Sequence, residues 1–224
     1  MKNRKYDVTA LGELLIDFTE NGDSAQGNPL MEANPGGAPC NVLAMLQKLG
    51  KKTAFIGKVG NDMFGNQLKK AVEEVGIDTR NLIMDHKHHT TLAFVHTYPD
   101  GDRDFSFYRD PGADMMLTKE EVQKELIEDS RIFHFGTLSS THEGVREATR
   151  HAIELAKANA EKAGVDDCIT FEVKPCQEIV LPGKYGVMIT NPPYGERIGE
   201  LKEVENMYRA LGGIMKENPT WSTY

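Results

Sequence analysis

The sequence predicts an α/β fold: a parallel sheet covered by helices on both faces, carrying an inserted β-hairpin. Three observations predict it. Short apolar runs alternate with stretches in which apolar residues return at helical spacing, the pattern a helix-flanked parallel sheet requires. Glycines stand where those helical stretches should end, at Gly50, Gly76 and Gly164. Between about residues 90 and 108 the period changes to two, which marks an element unlike the βα units around it.

Taken in order, Tyr6 to Leu11 reads as a strand, Gly12 as a turn, and Leu14 to Phe18 as a second apolar stretch. Residues 19–35 are polar and rich in Gly, Asn and Pro, and read as a loop. GGAPCNVLAMLQKLG, from Gly36, predicts a helix whose apolar face is Val42, Met45, Leu46 and Leu49. Thr53 to Val59 predicts a buried strand, and residues 64–75 an amphipathic helix. Thr91, Ala93, Val95 and Thr97 alternate on one arm of the hairpin, Asp104, Ser106 and Tyr108 on the other, and Pro99 to Asp102 form the turn. Thr118 and Glu121 frame a capping box that opens a helix to about residue 128. Arg131 to Phe135 is a strand and Glu143 to Ala163 a long helix. Ile169 to Val173 and Tyr185 to Thr190 are two further strands, and Glu203 to Lys216 a last helix.

Composition narrows the function. The 224 residues hold 26 Lys and Arg against 34 Asp and Glu, a net charge of −8, and so lack the dense basic face that binding nucleic-acid phosphate demands. Cys40, Cys168 and Cys176 form no CxxC pair and leave an odd thiol, as expected of a chain in the reducing cytoplasm. The first 18 residues, broken by Gly12, Glu13 and Asp17, read as neither signal peptide nor membrane span. His86, His88 and His89 lie in a loop without a Cys or carboxylate at zinc spacing, so no metal site is expected there. His134 reads as a core or pocket-edge residue.

Gly36 and Gly37 precede a helix, whose free N–H groups and dipole suit a negative or hydroxyl-rich ligand. Asp17 in GELLIDF and Asn41 supply a carboxylate and an amide able to hold vicinal hydroxyls. Read singly, Asp17 could cap a turn, Asn41 bond locally and Arg109 form an ion pair. Together with GKVGNDMFG at 57–65 and FSFYRDPGAD, which contains Arg109, they form an ordered set. From Tyr6 to about Lys157 the sequence strongly resembles the ribokinase/fructokinase family of carbohydrate kinases, departing at Leu43, where that family usually has a small residue. The resemblance implies a three-layer ribokinase-like fold with the hairpin at about 90–108 as a lid. It also implies a sugar substrate held by Asp17, Gly36, Gly37, Asn41 and Arg109, ATP with Mg as cofactors, and pairing of two copies through their lids. The family's catalytic aspartate stands in a Gly-Ala-Gly-Asp segment. No such segment follows residue 160, so no catalytic residue and no nucleotide site are assigned.

The last third carries KYGVMITNPPYGERIGE. A strand running into Asn191, Pro192, Pro193 and Tyr194 projects an amide and a ring at the strand's carboxyl end, where a planar base can be stacked and hydrogen-bonded. With NAEKAGVDDCITF upstream and TWSTY downstream, residues from about 153 to 224 resemble the C-terminal part of the ribosomal RNA guanine-N2 methyltransferase family. That resemblance implies base binding by Asn191, Pro192, Pro193 and Tyr194, and S-adenosylmethionine as cofactor, although its glycine-rich loop has no counterpart before residue 153. From residue 161 onward seven Lys and Arg face ten Asp and Glu, so this segment too lacks a basic patch for RNA. The chain thus reads as a hybrid, with 1–157 a sugar-binding half and 158–224 a Rossmann-like methyltransferase βα segment completing the same sheet. Three readings follow: a fructokinase-like fragment that binds sugar, an RNA methyltransferase remnant, and a non-catalytic recombinant or artefactual hybrid.

Overall fold

The structure is a computed structural model and describes residues 4–98, 102–164, 178–181, 183–188 and 201–223. Its first compact unit spans residues 1–168 and its second residues 169–224.

Four strands of the first unit, β1 (Tyr6–Leu11), β4 (Thr53–Gly60), β5 (Asp78–Asp85) and β8 (Ser130–Phe135), form a parallel sheet in the order β5-β4-β1-β8. Helices α1 (Ala38–Lys48) and α2 (Met63–Val75) cover one face, where Val8, Phe55 and Val59 pack with Leu43, Leu68 and Val72. Helices α3 (Lys124–Glu128) and α4 (Glu143–Ala163) cover the other, where Leu11, Ala54 and Ile56 pack with Leu126, Ile127, Val145 and Ala148. Burial on both sides is why β4 reads as a continuous apolar run rather than an alternating one. Leu43, the departure from the family pattern, is fully buried in the first of these cores.

A second sheet rises from the carboxyl end of β1, with strands at residues 29–36, 15–23, 92–97 and 103–108 in that order (β3-β2-β6-β7). Strands β6 (Leu92–Thr97) and β7 (Arg103–Tyr108) are the arms of the expected hairpin. The other two, β2 (Leu15–Asp23) and β3 (Pro29–Gly36), pair antiparallel through the stretch read from sequence as a loop. That expectation fails because most of β3 lies in solvent at the sheet edge, so its residues carry no buried alternation to betray a strand. The expected hairpin is therefore half of a larger sheet. Ile16, Phe18, Ala33 and Leu92 pack one face of it against the first core, with Phe18 stacked on Phe94 at 4.9 Å between ring centres.

Two helices differ from expectation. α1 buries Pro39, Cys40 and Leu43, leaving Val42, Met45 and Leu49 42%, 58% and 66% exposed. It is apolar almost all round, so spacing alone does not choose the buried stripe; contact with β1 and β4 does. The capping box forms, with the Thr118 N–H donating to Glu121 Oε2 at 2.8 Å, but it closes only a 3₁₀ turn, and α3 starts afresh at Lys124. Asn81 causes the break: its buried amide donates to the Glu121 carbonyl (2.8 Å) and accepts from the Gln123 N–H (2.7 Å), taking groups an α-helix would pair internally.

In the second unit β9 (Gly186–Met188) and β10 (Trp221–Thr223) pair in parallel, with α5 (Leu201–Glu217) between them in sequence. The expected strand 169–173 lies outside the described residues, and β10 was not expected. Among the described residues no helix is long and apolar enough to cross a membrane.

Candidate functional site

The chain leaves β1 for α1, β4 and β5 on one side, and returns as β8 on the other, with α4 on the opposite face. The carboxyl ends of β1 and β8 therefore flank a topological switch point, the crevice where open α/β sheets bind ligands. Gly12, Glu13, Gly36, Gly37 and Gly136 all stand there.

Asp17 extends from this crevice on β2. It is half-buried and, among the described residues, no donor reaches its carboxylate; burial alone raises its pKa. Its closest neighbour explains the first glycine: a Cβ at Gly36 would stand 2.1 Å from Asp17 Oδ2. Gly37, the residue before α1, has φ +117°, and a Cβ there would also meet the Glu13 carbonyl at 2.4 Å. Both glycines are buried, Gly36 with its main chain against the Asp17 carboxylate and Gly37 against the Glu13 main-chain carbonyl. The register places Asn34 and Ala93 directly beside Asp17, and Phe107 beside Ala93, so these four residues share the face turned away from the core. Asn41 lies exposed in the first turns of α1.

Arg109 is placed differently. Its Nε and Nη2 donate to Asp114 Oδ2 at 2.9 and 2.7 Å, and Nη1 donates to Thr141 Oγ1 at 3.2 Å. The two side chains are 11% and 3% exposed, so this is a buried ion pair, and Thr91 completes it by donating to Asp114 Oδ1 at 2.6 Å. Asp62 does the equivalent on the other side: it caps α2 through the Gly65 N–H (2.8 Å) and accepts from both the N–H and the hydroxyl of Thr90 (2.8 Å each). These donated bonds hold its carboxyl below the usual range against the opposing effect of burial. Both legs of the β6–β7 hairpin, Thr90–Thr91 and Arg109, are thus fixed by buried or half-buried aspartates.

The histidine loop behaves as a surface loop: His88 pairs with Asp85 at 3.3 Å and His89 is exposed. Among the described residues no cluster of His, Cys, Asp and Glu is placed to hold a metal ion. His134, half-buried on β8, has its pKa lowered by that burial. Asn191, Pro192, Pro193 and Tyr194 lie outside the described residues.

The pfkB family of carbohydrate kinases matches residues 5–179. The chain belongs to that family. The chain is 38% identical over 179 residues to probable fructokinase-5 of Arabidopsis thaliana, a match that covers 79% of this chain and 55% of that protein. It is 39% identical over 180 residues to fructokinase-1 of Oryza sativa subsp. japonica, covering 80% and 56%. The chain therefore spans about half the length of the curated relatives it matches. Among solved structures, fructokinase from Xylella fastidiosa superposes with a TM-score of 0.65 at 34% identity, over 68% of this chain and 47% of that one. An E. coli structure described as a putative ribokinase II shares the fold over 97% of this chain, at 22% identity and a TM-score of 0.63. The fold is ribokinase-like. The pfkB match continues past residue 157, the end of the kinase-like resemblance in the sequence, and takes in NAEKAGVDDCITF, part of the methyltransferase-like resemblance.

Sequence reasoning missed Glu13, Asn34, Asp62 and Asp114 of this pfkB chain. The signal for Asp62 was present, since Asp before a helix is a common cap. Nothing local marks the others, which gain their places through strand register or contacts across the fold.

Proposed function

We propose that this chain is a sugar-binding part of a fructokinase-type kinase, with Asp17 holding sugar hydroxyls against the main chain of Gly36 and Gly37 and Asn41 adding a further hydrogen bond. The observation that carries this reading is Asp17 itself, a half-buried carboxylate without a partner among the described residues, set against a glycine whose missing side chain leaves it room. A sugar hydroxyl would donate to Asp17 and recover the solvation that burial has removed. The sheet β3-β2-β6-β7 acts as the lid, and the face that carries Asp17, Asn34, Ala93 and Phe107 excludes water once a sugar is bound. Arg109 serves by holding the end of β7 through Asp114. Pairing of two copies through exposed lid residues such as Phe107 and Tyr108 belongs to the same reading.

ATP and Mg are the cofactors of this reading, and a fructokinase from Xylella fastidiosa and the Pyrococcus horikoshii sugar kinase PH1459 have each been solved with ATP. The crevice described here suits a neutral polyol better than a triphosphate. Asp17 and Glu13 both border the start of α1, and the Ala38 N–H, a donor a phosphate would use, is already taken by Glu13. No phosphotransfer step is therefore assigned to residues of this chain.

Fructose should raise the melting temperature of the full chain, and Asp17→Ala should abolish that shift while remaining folded. An unchanged shift in the variant overturns the assignment of Asp17. A second reading, an S-adenosylmethionine-dependent methyltransferase remnant in the last third, is supported by the parallel β9–α5–β10 unit, the pattern a Rossmann-like segment would supply. Binding of labelled S-adenosylmethionine that Asn191→Ala removes would favour it.

A further inference from the structure

Glu13 stands one short apolar run before Asp17 in sequence but at the bottom of the crevice, only 5% exposed. Its Oε1 accepts from the Ala38 N–H at 3.1 Å, and its carbonyl oxygen lies where a side chain on Gly37 would be. Its Oε2 is buried and, among the described residues, has no hydrogen-bond partner. A Cβ on Gly136, just past β8, would stand 2.9 Å from that oxygen and 2.8 Å from Pro39 Cγ. One side chain thus touches the turn after β1, the first residues of α1 and the end of β8, the three segments that meet at the switch point.

We propose that Glu13 is the positioning residue of the sugar face, its buried carboxyl fixing Gly37 and Ala38 against the ends of β1 and β8 so that Asp17 and the glycine main chain keep their spacing. This rests on the sugar-binding reading above. The chemistry favours a neutral acid in this role. A protonated carboxyl can still accept from Ala38 N–H through its carbonyl oxygen, whereas ionisation leaves a buried charge on an oxygen without a donor. Burial is the main cause that raises the Glu13 pKa, and the nearby Asp114 adds to it; the N–H groups of Glu13 itself and of Ala38, and then Arg109, oppose it. Cys40 on α1 faces the same group, and burial with the Glu13 charge pushes its thiol up to about 12. As pH rises through the raised pKa, ionised Glu13 is drawn towards solvent, the glycine segment loosens and sugar binding weakens.

The test uses the full chain, fructose as ligand, and two variants. Glu13→Ala should speed hydrogen exchange of the Ala38 amide at least tenfold with the Phe55 amide unchanged, and weaken fructose binding at least tenfold by calorimetry. Glu13→Gln, which keeps an acceptor oxygen and cannot ionise, should retain slow Ala38 exchange and hold fructose within threefold of the unsubstituted protein at pH 5. It should also lose less affinity as pH is raised. Unchanged Ala38 exchange and affinity in Glu13→Ala, or a pH response in Glu13→Gln equal to that of the unsubstituted protein, overturns the proposal. Absence of any fructose signal in the unsubstituted protein overturns the sugar reading instead, and the Ala38 exchange then still decides whether Glu13 ties this segment down.

Discussion

The two four-stranded sheets of the first unit use their side chains differently. In the parallel sheet both faces are covered: all eight residues of β4 are buried, and Lys58 among them is held by Glu121 at 2.7 Å and the Met116 carbonyl at 2.9 Å. The sheet β3-β2-β6-β7 covers one face with Phe18, Phe94 and Leu92, while its other face carries Asp17 and Asn34. The difference teaches where chemistry is available. A side chain committed on all sides contributes stability, and one left on a half-covered sheet can meet a ligand.

The legs that join the sheets are the sharpest place to test this division, because Arg109 looks in sequence like a ligand contact and is bonded in the structure like a core residue. Asp114→Ala should have the largest effect. It strands a buried guanidinium and removes the acceptor of Thr91, and should cost roughly 3–5 kcal/mol in urea unfolding. A loss below about 1 kcal/mol would mean Arg109 is free to leave, and would return it to the ligand side of the comparison. Asp62→Ala removes a helix cap and the anchor of Thr90 and should cost about 1–2 kcal/mol, with hydrogen exchange accelerated first at Gly65 and Thr90.

The smallest expected effect on stability is at Asp17, and it depends on pH. Its folded pKa is raised above 3.8 by burial, so the folded state binds the proton more tightly than the unfolded chain does. Stability from this group is fully present below pH 3.8 and is lost as pH climbs through the raised value. Asp17→Asn should therefore be slightly more stable than the unsubstituted protein at pH 7, with the difference vanishing in acid. Asp62 works in the opposite direction, since its lowered pKa makes its contribution fade as pH falls. Melting curves of Asp17→Asn and Asp62→Asn between pH 3 and pH 8 would separate a site carboxylate from a structural one by the sign of the slope.

Much of the architecture was legible residue by residue. Helix α4 runs from Glu143 to Ala163 and stops at Gly164 in the left-handed conformation, as its spacing predicts, and α2 ends in the same way at Gly76. These signals are local, since a helix's period and its stop are written in neighbouring residues. The β2–β3 hairpin was not legible because most of β3 lies exposed at a sheet edge, and β5, which mixes Asp, Arg and Asn with Leu and Ile, went unread for a related reason. The break between Thr118 and Lys124 was illegible because Asn81, some forty residues earlier, supplies the competing hydrogen bonds.

By itself the sequence determined the alternation of strand and helix, the glycine stops, and the motif around Asp17, Gly36 and Gly37 that announces a carbohydrate kinase. Only tertiary structure decided which stripe of α1 is buried, that Arg109 is bonded to Asp114, and that Glu13 lies under Ala38 and beside Gly136. The physical reason is range. Helix period and capping depend on residues within about one turn, whereas burial, orphaned oxygens and ion pairs are set by segments far apart in sequence that meet only when β1 and β8 lie side by side.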